Sequence, residues 1–267
     1  MSSPKVSVIM GIYNGGKTMK RAIDSIIEQT FTDWELIICD DCSKDNTYKI
    51  AVDYAEKDSR IRVIQNEKNM RLAYSLNHCL SVARGEYIAR MDDDDICMPE
   101  RFEKQVKYLD THPDMSVVGS AVIIFNENGD IGIRGIGEEY PVRKPVNLST
   151  PFAHPTIMMR KTAYDILNGY TVSSETLRAE DLDLWYRFRL EKLDGYIIQE
   201  PLLRYYEPVD AFKKRSVKAA KGMVKINKKY FKLLAIPKKY WFLIYKPLVS
   251  ALLPNGLLAW YHKKRLK

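Results

Sequence analysis

The chain of 267 residues predicts an α/β fold: a doubly wound, mostly parallel sheet flanked by helices, followed by a basic helical tail. Three observations predict it. Short Val/Ile-rich runs alternate with segments of helical spacing from the first residues onward. The runs are apolar throughout rather than at every second position, as in strands buried on both faces. The charge is also divided: Ala211 to Lys267 holds 16 Lys and Arg and no Asp or Glu, leaving 26 basic against 34 acidic residues elsewhere. An acidic body (1–210) and a basic C-terminal region (211–267) are expected to meet different partners.

Each element follows from local pattern. Lys5–Met10 (KVSVIM) is the first strand. In Thr18–Gln29, Met19, Ala22, Ile23, Ile26 and Ile27 recur at helical spacing. Glu35–Cys39 (ELIIC) is a second strand, Asn46–Lys57 a second helix and Ile61–Gln65 a third strand. Leu72–Ala83 puts Leu72, Leu76, Cys79, Leu80 and Ala83 on one side of a third helix. Glu86–Met91 is a fourth strand, and Pro99 opens a fourth helix to Leu109 at a favoured first-turn position. After Asp114 the alternation ends: Met115–Phe125 and Thr156–Arg160 read as strands, Asn126–Asp130 (NENGD) as a turn and Ala179–Leu190 as a helix.

Hydrophobic residues at 46% and charged residues at 28% exclude a disordered chain and suit a packed core. The start, MSSPKVSVIMG, has no basic region followed by a long apolar run, so a cytosolic chain is expected. Cys39 and Cys42 form a C-x-x-C without a second pair at zinc spacing, and Cys39 falls within a strand; structural thiols are expected.

In a parallel sheet, ligands bind beyond the carboxyl ends of the strands. Tyr13 and Asn14 follow the first strand, Asp40 and Asp41 the second, and Asp92, Asp93, Asp94 and Asp95 the fourth. Adjacent carboxylates repel and need a counter-charge. A hard divalent cation supplies one and leaves room for a substrate phosphate; a solvated acidic turn, with Asp95 capping the next helix, is the alternative. An EF-hand starting at Asp92 fails, because Ile96 and Cys97 stand where a ligand and glycine are needed.

PKVSVIMGIYN, ELIICDDCSKDNT and GEYIARMDDDDICMPER, in that order, resemble the family 2 glycosyltransferases of GT-A fold. The likeness runs from about Lys5 to Tyr206 and includes bacterial O-antigen, lipopolysaccharide and capsule sugar transferases. The acidic cluster looks like their D-x-D-D signature. The resemblance implies that Asp94 binds Mn²⁺ or Mg²⁺, that Asp92 contacts the metal-nucleotide unit or ribose, that Asp93 belongs to the nucleotide-sugar site, and that Asp41 reads uracil. It also implies that Tyr13 lies against the base, with Gly11 allowing close backbone approach. Arg71 stands in NMRLAYSLN where many relatives have glycine; it reaches the donor diphosphate or faces solvent at a helix start. In RAEDLDLWYRF, Glu180-Asp181 resembles the family's E-D pair, making Asp181 the general base; an acidic first helical turn is the plain alternative. A single base opposite the leaving group implies inversion, hence a β-linked product from an α-linked UDP-sugar. His154, in PFAHPTIMMRK, Glu180 and Trp185 are candidate acceptor or diphosphate contacts; for His154 and Trp185 packing is the plain alternative.

The segment Trp241–Tyr261 is apolar but interrupted by Lys246, Pro247, Pro254, Asn255 and Gly256, so it is expected to lie in a membrane interface rather than span it. Neighbouring Lys and Arg suit anionic lipid rather than nucleic acid. The combined expectation is a metal-dependent, non-processive transferase, peripheral on the inner face of the cell membrane, using a UDP-sugar and a lipid-linked sugar acceptor. A sugar-phosphate nucleotidyltransferase, kept open by Gly15, Gly16 and Lys17, and a non-catalytic nucleotide-sugar binder are the alternatives.

Overall fold

The computed structural model describes residues 3–143, 150–209 and 216–253. The first part alternates as expected: β1 (Val6–Ile12), α1 (Met19–Ile27), β2 (Trp34–Asp40), α2 (Thr47–Ala55), β3 (Ile61–Gln65), α3 (Leu72–Val82), β4 (Tyr87–Arg90), a two-residue β5 (Ile96–Cys97) and α4 (Arg101–Thr111). Then come β6 (Val117–Asn126), β7 (Gly129–Arg134), β8 (Met158–Arg160), α5 (Lys161–Leu167), α6 (Glu180–Leu190), β9 (Gly195–Tyr206), α7 (Val217–Leu233), a 3-10 stretch at Lys238–Tyr245 and α8 (Lys246–Leu252).

The strands form one sheet in the order β3-β2-β1-β4-β8-β6-β9-β5, with β7 on β6. β1 pairs in parallel with β2 and β4, and β2 with β3. The mostly parallel arrangement holds for this half only. β8 runs antiparallel to β4 and β6, and β5 antiparallel to β9, while β6 and β9 are parallel. NENGD closes a tight antiparallel hairpin between β6 and β7, with Gly129 at φ +107, whereas the earlier parallel strands are joined by crossover helices.

Both faces of the sheet are covered. Val8, Met10 and Ile12 of β1 and Leu36 and Ile38 of β2 meet α1 and the Phe102, Val106 and Leu109 side of α4. Ile9, Ile37 and Cys39 face the other way, against α3, α5 and α6. Each fully buried Ile or Leu contributes roughly 2 kcal/mol. All four cysteines are free thiols, three of them buried. A third apolar cluster joins Tyr186 of α6 to Val224, Ile226, Tyr230 and Phe231 of α7. There the Tyr186 and Tyr230 rings stack 4.9 Å apart. The described part of the basic tail thus packs on α6. The expected division at residue 210 and the last part of the apolar run, 254–261, lie outside the described residues.

Candidate active site

The acidic stretch connects β4 to β5, and the chain clamps both sides of it. Met91 N donates to Ile9 O (3.2 Å), Cys97 N to Ser25 Oγ (3.0 Å) and Met98 N to Leu202 O (3.0 Å). Arg101, fully buried at the start of α4, donates through Nη2 to Arg90 O (2.9 Å) and through Nη1 to Cys97 Sγ (3.1 Å). Arg21 donates to Asp94 O (2.7 Å), its guanidinium lying over the Tyr206 and Phe125 rings.

This frame gathers three of the four carboxylates. Oxygens of Asp92, Asp94 and Asp95 lie within 4.8 Å of one another. Asp95 is fully buried and does not cap α4: Oδ1 accepts from Tyr206 N (2.8 Å), and Oδ2 is buried without a partner. Asp93 turns away to accept from Thr18 Oγ1 (3.2 Å). Arg90, 2% exposed, forms an ion pair with Asp92. One guanidinium against three carboxylates leaves the cluster short of positive charge. Burial therefore pushes Asp94 up to about 7, with repulsion from Asp92 and Asp93 adding to it. Burial and Asp92 likewise push Asp93 to about 6 and hold Asp95 well above the usual carboxylate range. The donor set fits a hard divalent cation: it is all carboxylate oxygen, and Asp95 Oδ2 has no other partner.

A cavity of about 1300 Å³ opens beside the cluster. Arg71, Arg90, Asp92, His154, Glu180 and Asp181 share its wall. Glu180 and Asp181 start α6, after Arg178 in a left-handed conformation (φ 59). Burial, then the charge of Asp181, raises Glu180 to about 7; burial raises Asp181 too, although Leu182 N donates to its Oδ1 (2.7 Å). His154 shares a hydrogen bond with Tyr170 OH through Nε2 (2.9 Å), and burial keeps its pKa well below the ordinary histidine value, so it is neutral.

Residues 7–167 match the model of "Glycosyl transferase family 2". The chain belongs to the family 2 glycosyltransferases. It is 47% identical over 266 residues to "Putative glycosyltransferase EpsE" of Bacillus subtilis (strain 168), covering 99% of this chain and 95% of that protein. Its fold is similar to that of S. aureus TarS residues 1–349 in complex with UDP. The TM-score is 0.66 at 24% identity, over 90% of this chain and 69% of that one. It is also similar to mannosyltransferase PcManGT from Pyrobaculum calidifontis in complex with GDP-Man and Mn²⁺. There the TM-score is 0.62 at 18% identity, over 100% of this chain and 82% of that one. The glycosyltransferase fold is thus GT-A.

Several residues of this glycosyltransferase stand differently from expectation. Gly11 lies inside β1, not in the loop after it, and a Cβ there would come within 3.1 Å of Leu72 and Ser75 side chains, so glycine admits the approach of α3. Asp41 is buried and accepts from Asn66 Nδ2 (2.8 Å), Met70 N (2.7 Å) and Arg71 N (2.8 Å). Three of its roughly four acceptor positions thus hold the loop before α3. Asp93 serves the β1–α1 loop. Trp185 is 5% exposed, packs on Phe152 (4.9 Å), and is core rather than a stacking platform. Tyr13 is 47% exposed just beyond β1, free to meet a flat ligand. The space that Gly15 and Gly16 leave is filled by Asp93 Oδ2 and Asn46 Oδ1, 2.2 and 2.1 Å from where their Cβ atoms would be. Both positions therefore need glycine. Asp183, two residues past Asp181, is taken by Thr171 Oγ1 (2.6 Å), Arg187 Nε (2.8 Å) and Tyr230 OH (2.9 Å). Sequence reasoning put Asp95 in the acidic cluster but gave it no role of its own, and it missed Arg90 and Arg101 as parts of the site, which read as an ordinary strand end and helix start.

Proposed function

We propose that this family 2 glycosyltransferase moves a sugar from a UDP-sugar to a lipid-linked saccharide acceptor. We further propose that it does so with inversion, one sugar per acceptor, in bacterial surface polysaccharide synthesis. The observation that carries the reading is that Asp92 of the carboxylate cluster and Asp181 of α6 line one cavity large enough for two substrates. UDP in TarS and GDP-Man with Mn²⁺ in PcManGT, together with the resemblance to surface-polysaccharide transferases, support the donor class and the metal.

In this reading Asp94 and Asp95, with Asp92, hold Mn²⁺ or Mg²⁺, and Arg90 keeps Asp92 charged and oriented. A divalent cation there supplies positive charge to the departing diphosphate. Tyr13 lies against the base, and Asp41 shapes the nucleotide side through the loop it holds. Asp181 accepts the proton of the acceptor hydroxyl. That oxygen forms its bond to the anomeric carbon as the bond to the diphosphate oxygen breaks on the opposite face, and UDP leaves. A carboxylate whose pKa is raised by burial is a stronger base than one in water. His154, neutral and tied to Tyr170, offers a hydrogen bond without charge to the acceptor side.

The basic C-terminal region is the membrane contact in this reading. Residues 216–253 contain nine lysines and no Asp or Glu, and Phe242 and Leu252 are 70% and 73% exposed. Among the described residues no helix is long and apolar enough to cross a membrane; the contact in this reading is interfacial.

The test is UDP release from UDP-glucose, UDP-galactose, UDP-GlcNAc and UDP-GalNAc with Mn²⁺, with and without a diphosphate-lipid sugar acceptor. Acceptor-dependent release that vanishes in Asp94→Ala is the expected result. Pyrophosphate release from UTP or CTP plus a sugar phosphate would overturn it.

A further inference from the structure

Asp183 is a carboxylate in a place where charge is costly. It is 3% exposed, and a buried charge without partners is strongly disfavoured. It sits two residues after Asp181 in the first turn of α6. Two residues are about 200° of helical rotation, so the two side chains point to opposite sides of the helix. Asp181 lines the cavity. Asp183 faces inward, where three segments of chain meet on it. Its Oδ2 accepts from Thr171 Oγ1 (2.6 Å) and Arg187 Nε (2.8 Å), and its Oδ1 accepts from Tyr230 OH of α7 (2.9 Å).

These partners tie down the wall that carries Asp181. The stretch from Val172 to Asp181 borders the cavity, and residues 171–178 form neither helix nor strand. Thr171 is the first residue of that stretch. α7 meets it again at Glu175: Gly222 lies so close to Glu175 O that there is no room for a Cβ, and Lys225 Nζ reaches Glu175 Oε1 (3.2 Å). Tyr230 is itself buried and stacked on Tyr186 of α6. The C-terminal helix therefore abuts both the loop and the helix that make this wall. A buried carboxylate with both oxygens paired favours one arrangement of its partners. Rotating α6 by ~10° would carry a carboxylate at a helix radius of ~6 Å through about 1 Å. A misplacement of that size lowers a rate about 10²-fold.

We infer that Asp183 and Tyr230 are positioning residues for the transfer: they set the rotation of α6 that aims Asp181 at the acceptor hydroxyl, and they make α7 part of the acceptor half of the site. Tyr230 acts through Asp183, and Asp183 through the helical turn it shares with Asp181; neither needs to touch substrate. This rests on the reading of Asp181 as the base. The carboxylate cluster is held separately, by Arg21, Arg90 and Arg101 from other elements. Loosening the Asp183 network therefore acts on the acceptor half and leaves the nucleotide half as it is.

The experiment compares the full chain with Tyr230→Phe, Thr171→Val and Thr171→Ser. The first two each take one hydroxyl from Asp183 with little change in volume, and the third keeps it. Calorimetry of UDP with Mn²⁺ gives the affinity and the fraction of competent chain. Acceptor-dependent UDP release from the UDP-sugar selected by the assay above, normalised to that fraction, gives kcat. Tyr230→Phe and Thr171→Val should each lose roughly ten- to hundredfold in kcat with UDP affinity within twofold of the parent, while Thr171→Ser stays within threefold in kcat. Added to Asp181→Asn, Tyr230→Phe should lower the residual rate less than twofold, because no base is left to aim. A purely structural tyrosine would lower the melting temperature and leave the normalised kcat alone. The inference is overturned by a normalised kcat within threefold of the parent in Tyr230→Phe and Thr171→Val, by UDP affinity falling along with kcat, or by an equal loss in the Asp181→Asn background. Parent activity in Asp181→Asn alone removes the reading of Asp181 as the base, and the inference with it, and so is distinguished from a failure of the Asp183 network.

Discussion

Arg90→Met isolates the internal counter-charge of the acidic cluster. Arg90 is nearly inaccessible, and its partner Asp92 has a side chain 27% exposed. Breaking a buried pair by removing one partner typically costs about 3–5 kcal/mol. Water reaches Asp92, so the low end applies, about 3 kcal/mol. With about 2.1 cal/mol/K of unfolding entropy per residue, a chain of this length loses roughly 5 °C of melting temperature for that amount. The measurement is differential scanning calorimetry in EDTA. The double variant Arg90→Met/Asp92→Asn should recover part of the loss, because it removes the stranded charge together with its partner. Saturating Mn²⁺ should raise the melting temperature of Arg90→Met more than that of the parent, since the metal then replaces the positive charge that Arg90 holds beside Asp92. A melting temperature within 1 °C of the parent, or no recovery in the double variant, would refute the reasoning that Arg90 balances the cluster.

The remaining predictions concern pH, catalysis and membrane. Asp94 and Glu180 are raised to about 7 and Asp93 to about 6 in the folded chain, so between pH 5 and 8 the folded state binds more protons than the unfolded state. Their contribution is fully present below the unfolded carboxylate range and is lost as pH rises through 6–7. In EDTA the melting temperature should therefore fall from pH 5.5 to pH 8, and the stabilisation by Mn²⁺ should grow over the same interval; a flat or rising metal-free profile contradicts it. Asp181→Asn should lower acceptor-dependent UDP release by roughly 10²–10⁴ while UDP affinity stays within twofold; loss of both together assigns Asp181 to binding instead. Phe242→Asp and Leu252→Asp in the full chain should reduce flotation with phosphatidylglycerol vesicles, and unchanged flotation of both would remove these residues from the membrane contact.

Much of the fold was legible because buried parallel strands announce themselves. VSVIM and ELIIC are continuous apolar runs, and the helices between them keep 3.6-residue spacing. β9 was not legible. Its middle carries Gln199, Glu200 and Pro201, which read as a break. In the folded chain its register on β6 shifts between Ser120 and Val122, where Pro201 lies opposite Ala121, and the irregularity absorbs the missing N–H. β7 was read only as part of a turn because its residues are mostly exposed at the sheet edge. α5 has no sequence signal long enough to stand out in seven residues.

What the sequence determined by itself was the family, the half of the sheet built from β1 to β4, and the presence of a carboxylate cluster beyond β4. These are local facts: apolar runs, helical spacing and four adjacent Asp residues stay together in any fold of the chain. Only the tertiary structure decided which carboxylates act in common. Asp93 and Asp94 are neighbours in sequence, yet Thr18 takes one and the cluster of Asp92 and Asp95 the other. Asp181 and Asp183 are two residues apart on one helix, yet one lines the cavity while the other is closed off by Thr171, Arg187 and Tyr230. Partner and dielectric belong to whatever side chain arrives from a distant part of the chain, and the strength of a charge depends on both.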